Sequence, residues 1–208
     1  MVPRPRLHQS DRILDAVESL AVESGPAAVT IRAVSAAVGV SNGALYHTFT
    51  SRSGLLGQAW LRAARRFLAA QQELVDEASH GKTSGVEAVV TAAEAPAVFA
   101  DRYPASSRLV LTMPRDQLLG SDMPAEIATE LKDLDKQLVA LLIQLARMVW
   151  DRKDAAAVDV ITTCVVDLPT GILLQRHRLD SPAAREHLRA AVRAVAEIGP
   201  PTPRPRKD

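Results

Sequence analysis

The sequence predicts an all-α fold: a small N-terminal unit of three short helices followed by a larger helical bundle. Three observations predict it. The composition is rich in Ala, Leu, Val and Arg with only 3% aromatic residues, a mixture that favours helix over sheet. Apolar residues recur at steps of three and four along most of the chain, and no period-two stretch is found. Ser or Thr precedes several of these periodic runs and Gly or Pro follows them, which are helix start and stop signals.

Taken in order, Ser10 is expected to cap a first helix with Ile13, Leu14, Val17, Leu20 and Ala21 inward, stopped by Gly25-Pro26. Thr30 caps a short second helix with Ile31, Val34 and Val38 inward, and Gly39 ends it. Ser41 caps a third, with Ala44, Leu45 and Phe49 inward, and Ser51 opens a long fourth helix reaching about Ala78. Residues 84–101 and 105–113 read as two helices separated near Pro104. Leu131, Leu134, Leu138, Leu141, Leu145 and Met148 form a heptad-like seam on the next helix, which therefore packs along its length. Residues 155–178 form an apolar helix bent near Pro169 and Gly171, and 183–198 form the last. The Pro/Arg-rich ends, "MVPRPRLHQ" and "GPPTPRPRKD", lack periodicity and read as tails. Residues 1–52 are expected to form one domain and 53–208 another, with 200–208 as tail.

Bulk properties narrow the function. The 208 residues suffice for one domain with a full core or two small ones. With 47% hydrophobic and 24% charged residues the chain reads as globular. A net charge of +1 leaves any polyanion partner to local charge. A single cysteine, Cys164, excludes an intrachain disulfide and fits a reducing cytoplasm. Neither a signal peptide nor a membrane span is read, because charges break the candidate stretches. Enzyme motifs are thin. One Glu77-x-x-His80 falls short of the two copies that a di-iron bundle needs, and no phosphate loop or Gly-x-Ser-x-Gly turn occurs. No enzymatic activity, cofactor or metal site is expected.

Residues 30–52 stand apart. Two short helices about a Gly-containing turn have the form of a helix-turn-helix, whose second helix enters the DNA major groove. Between its inward positions lie Asn42, Gly43, Tyr46, His47 and Thr48, side chains suited to base edges and phosphate oxygens. Arg32 and Arg52 flank the unit and can meet phosphates. The same pattern is compatible with a plain helical bundle, such as a carrier or adaptor.

The stretch "RILDAVESLAVESGPAAVTIRAVSAAVGVSNGALYHTFTSRSGLL", Arg12 to Leu56, resembles the tetracycline-repressor (TetR) family of bacterial one-component regulators. The resemblance is carried by Ile-Leu-Asp-Ala at 13–16, Val-Gly-Val-Ser at 38–41, Gly-x-Leu-Tyr at 43–46, Phe-x-x-Arg at 49–52 and Leu-Leu at 55–56. Two positions depart from the family pattern: Thr48 stands where a His is usual, and Arg52 where a Lys is usual. The resemblance implies a cytoplasmic, homodimeric, all-helical repressor with a double-stranded DNA operator and a small-molecule effector. DNA contacts map to Thr30, Arg32, Ser41, Asn42, Gly43, Ala44, Tyr46, His47 and Thr48, with Arg52 on a phosphate. The segment "VVDLPTGILLQ" resembles the penultimate helix, which with the last helix usually forms the dimer's four-helix bundle. Leu168, Ile172, Leu188, Val192 and Val195 are then expected at the twofold interface. An effector cavity is expected to draw on Phe99, Tyr103, Leu109, Met113, Trp150 and Cys164, a set that suits an uncharged hydrophobic molecule over a metal ion.

Overall fold

The computed structural model describes residues 5–80, 84–112 and 124–202. Every regular element among the described residues is helical, and the chain divides into two compact units. The first comprises residues 1–66 and 102–134, the second 67–101 and 135–208.

In the first unit, α1 runs Pro5–Ser24, earlier than the Ser10 start expected from sequence. The reason is local: proline is tolerated in the first helical turn, where its missing N–H has no partner to lose. Ser10 therefore lies within the helix, and the expected tail at 5–9 is helix. A 3-10 turn at Pro26–Ala28 leads to α2, Ile31–Val38, and α3, Asn42–Phe49. Both caps are as expected: the Thr30 hydroxyl accepts from the Ala33 amide at 3.0 Å, and Ser41 accepts from Ala44 at 3.2 Å. Helix α4, Arg52–His80, opens on Ser51, whose hydroxyl accepts from the Gly54 amide. Ile13, Leu14, Val17, Val34, Leu45, Phe49, Leu55 and Leu56 are buried here. Val38 is half-buried, and Ala44 is exposed rather than inward.

A charged group sits inside this unit. Glu18 is 2% exposed, and its Oε1 accepts from Arg62 Nε at 3.2 Å and Nη2 at 2.7 Å. Its Oε2 accepts from the Ser106 hydroxyl at 2.6 Å, and Arg66 Nη1 donates to that hydroxyl at 3.2 Å. Arg62 reaches on to Asp15 and to Asp11. The Arg66 guanidinium also stacks over the Tyr103 ring, 5.2 Å from its centroid. Ser106 belongs to α7, Pro104–Ser107, which continues as a π-turn at Arg108–Thr112. So α1, α4 and α7 share one network, and both oxygens of the buried carboxylate have a donor.

In the second unit, the stretch expected as one helix over 84–101 is two, α5 at Gly85–Ala93 and α6 at Ala95–Arg102, broken at Glu94. Helix α8, Ala125–Trp150, runs from the first unit into the second and carries the heptad-like run: Leu131 and Leu134 are buried in the first, Leu141 and Leu145 in the second, and Leu138 and Met148 are half-buried. Helix α9, Ala155–Leu174, is long and apolar enough to cross a membrane by length and composition, with about a third of it buried. Its Ile161, Cys164, Val165 and Leu173 join the core together with Leu188, Val192 and Ala196 of α10, Pro182–Ile198. Two π-helical turns, Thr163–Asp167 and Thr170–Leu174, flank Pro169, which has no N–H for a regular ladder. The Cys164 thiol is pushed up to about 11 by burial, which makes it an inert core group.

Replacing Arg62 with Ala strands the Glu18 carboxylate in the core. The expected cost is about 3 kcal/mol, read as a lower urea midpoint for unfolding. A loss under about 1 kcal/mol would show that the network is not a stabilising element.

Candidate nucleic-acid interface

The turn between α2 and α3 is tightly specified. Gly39 adopts φ 71, the left-handed conformation that closes α2, and its amide donates to Ser35 O at 2.9 Å. The Ser35 hydroxyl donates to Val40 O at 2.6 Å. Sequence reasoning missed this brace, because a serine inside a helix carries no turn signal of its own.

Helix α3 has two distinct faces. Leu45 and Phe49 are buried, at 0% and 7% exposure, and burying two such side chains is worth about 2 kcal/mol each. Asn42, Gly43, Ala44, Tyr46, His47 and Thr48 are all exposed, with Tyr46 at 55%. Four of these carry donors or acceptors and two are small, which leaves the backbone approachable. The Thr48 hydroxyl donates to Ala44 O at 3.0 Å. Its one proton is thus engaged, so toward a ligand it offers lone pairs rather than a phosphate-binding donor.

A cleft of about 380 Å³ lies along this face, lined by Gln9, Ser10, Ile13, Val40, Ala44, His47 and Thr48. Gln9 and Ser10 are additions to the sequence-derived set. Pro5 at the head of the helix was the available signal that α1 reaches far enough to border α3.

Arg52 has a different setting from the phosphate contact implied by the resemblance. Its Nε donates to Val29 O at 2.6 Å and its Nη2 to Pro26 O at 2.5 Å. Two of its three nitrogens therefore fasten the start of α4 to the turn before α2. The α3–α4 corner is equally constrained. Thr50 takes φ 63 and ψ −44, and Ser51 N–H donates to Phe49 O at 2.6 Å, a γ-turn. A Cβ on Gly54 would lie 2.2 Å from Phe49 O, so only glycine fits where α4 passes this carbonyl.

The residues expected to line one effector cavity are divided between the units. Tyr103 and Leu109 belong to the first and Phe99, Trp150 and Cys164 to the second; Met113 lies outside the described residues. Phe99 is fully buried and packs edge-on against Phe67, with centroids 5.4 Å apart. Trp150 is half-buried, its indole lining the approach to Gly199. Tyr103 borders a cleft of about 230 Å³ with Asp15, Glu18, Arg66, Arg102 and Ser106. Of the residues expected at the twofold interface, Leu188 and Val192 are 0% exposed within the second unit's own core, so neither is a surface group. Leu168, Ile172 and Val195 are half-buried. Among the described residues no cluster of His, Cys, Asp or Glu is arranged for a metal ion.

A short helix packed by its apolar face, a braced turn, and a second helix presenting a polar face have the form of a helix-turn-helix. Residues 13–59 match the family model for bacterial regulatory proteins of the tetR family. Its fold is similar to that of a protein from Pseudomonas aeruginosa PAO1 named as a transcriptional regulator, at TM-score 0.72 and 18% identity. That match covers 93% of this chain and 91% of the other. It is similar also to the TetR-family regulator PfmR from Thermus thermophilus, at TM-score 0.67, 20% identity and coverage of 90% and 98%. The fatty acid degradation regulator FadR from Bacillus halodurans matches at TM-score 0.63 and 16% identity, over 95% and 96% of the two chains. No curated protein matches the sequence.

Replacing Gly54 with Ala should push Phe49 and the end of α3 outward. DNA affinity is expected to fall at least tenfold while helical circular dichroism is kept. Unchanged affinity would mean the corner does not set the pose of α3.

Proposed function

We propose that this protein is a homodimeric transcriptional repressor of the tetR family that reads a near-palindromic operator with α3 and is released by a small apolar effector. The observation that carries the DNA-reading part is the division of α3: Leu45 and Phe49 are buried, while Asn42, Tyr46, His47 and Thr48 stand exposed on a braced frame. Asn42 at the head of the helix offers a bidentate amide to a base edge. Tyr46, His47 and Arg32 offer donors to phosphates. In this reading Thr30 and Ser41 serve mainly as caps that point α2 and α3, while Gly43 and Ala44 allow close backbone approach.

The dimer part rests on α9. More than half of this apolar helix is only half-buried within the chain, Leu168 and Ile172 among it, as is Val195 on α10. A second copy covering these groups supplies the burial that one chain leaves undone. The effector part rests on the apolar character of Phe99, Trp150 and Cys164 in the second unit and on likeness in fold to a regulator of fatty acid degradation. Release requires that the effector bind the DNA-incompetent state better; about 3 kcal/mol of differential binding gives a hundredfold switch.

Selection from random duplex DNA should enrich a palindrome whose half-sites lie about one helical turn, ~34 Å, or a multiple apart. Asn42→Ala should relax base preference at one position of each half-site, and Tyr46→Ala should weaken all sequences alike. If no palindrome is enriched, a non-DNA helical carrier or adaptor becomes the better reading. Release of the selected duplex by a panel of lipophilic compounds tests the effector class; release by divalent metals alone contradicts it.

Ile172→Arg places a charge on the proposed twofold surface, at a half-buried position beside the core. Sedimentation should then show the monomer mass with helicity retained. A dimer mass identical to that of the unsubstituted protein would refute this interface.

A further inference from the structure

In the second unit four arginine side chains meet carboxylates. Arg152 pairs with Asp154, Arg185 with Asp101, Arg189 with Glu94 and Arg193 with Glu87. At the junction of α9 and α10 the pattern reverses. Arg176, Arg178 and His187 line one cleft of about 310 Å³ together with Gly171 and Ile172, and no carboxylate lines it. Neither Arg176 nor Arg178 makes an ion pair with a described residue.

The backbone that presents these groups is unusual in a second way. His177 adopts φ 51, a left-handed conformation that glycine takes without strain. Its amide donates to Leu174 O at 3.0 Å, and the Arg178 amide donates to Leu173 O at 2.7 Å. These two bonds close the helix as a Schellman motif, with histidine where glycine is usual. A strained residue held by its surroundings is found preferentially at functional positions. Here the turn sets two guanidinium groups against one cleft, facing an imidazole from the next helix.

From this convergence of unpaired cations in one cleft we infer that the α9–α10 junction is a binding site for a small organic dianion, a phosphate monoester. Guanidinium groups match phosphate oxygens as two-pronged donors. The imidazole adds a third donor, and Ile172 and Gly171 give the organic part an uncharged wall. The site is separate from the exposed face of α3 but shares Ile172 with the proposed twofold surface, so phosphate binding is read apart from DNA affinity and alongside the dimer mass.

The test is a titration of the full-length protein with inorganic phosphate and with phenyl phosphate at constant ionic strength, followed by amide and imidazole NMR. Saturable shifts confined to 171–178 and 187 are expected, with phenyl phosphate binding several-fold tighter. Replacing Arg176 and Arg178 together with Gln should weaken phenyl phosphate binding at least tenfold while the melting temperature and the affinity for duplex DNA stay the same. Replacing His187 alone with Gln should produce a smaller loss and serves as the check if the double variant folds poorly. Diffuse, non-saturating shifts, or binding unchanged in these variants, would overturn the assignment. So would a double variant that keeps its phosphate affinity but loses dimer mass, since the cleft would then receive carboxylates of a second copy.

Discussion

The close passage of α4 over the carbonyl of Phe49 fixes where helix α3 points. Gly54 makes the approach possible, because any side chain there would collide with Phe49 O. The γ-turn at Thr50 closes the corner, and Arg52 ties it to the carbonyls of Val29 and Pro26. With this corner set, Leu45 and Phe49 can be buried while the intervening residues face out. Helix α3 is only eight residues long, too short to be stable alone in water. Its conformation and direction are therefore properties of the frame around it.

The frame is itself braced by charge. Glu18 lies within hydrogen-bond distance of Arg62 and Ser106, so α1, α4 and α7 are joined through one buried carboxylate. Such a network contributes less through net energy than through specificity: a displaced helix would leave a charge without a partner in a low-dielectric interior. Residues distant in sequence, 18 and 106, thereby help to set the position of α1, which borders the cleft beside α3.

Much of this is legible in the sequence, for identifiable reasons. Thr30, Ser41 and Gly39 act through contacts three or four residues away, so local pattern is enough to place α2 and α3. The inward roles of Leu45 and Phe49 follow from helical spacing, as does the buried heptad-like run on α8. What fails depends on tertiary contact. Adjacency to Leu45 groups Ala44 with the inward residues, yet it is exposed. Leu188 and Val192 read as a twofold surface because apolar core and apolar interface look alike in one dimension; their burial within the chain decides the matter. Arg52 carries the charge expected of a phosphate contact, and nothing local reveals that carbonyls more than twenty residues away engage two of its nitrogens. The membership of residues 102–134 in the first compact unit is likewise not visible, since it follows from long-range packing of α7 and α8.

The central claim is that the exposed face of α3, held by its corner and by the edge of α1, is the surface that meets DNA. Amide hydrogen exchange of the full-length protein, free and bound to a duplex obtained by selection, tests this most directly. Slower exchange should be concentrated at residues 30–33 and 41–50, extending to the α1 segment around Gln9 and Ser10. Protection located instead on α9 and α10, with 41–50 unchanged, would contradict it.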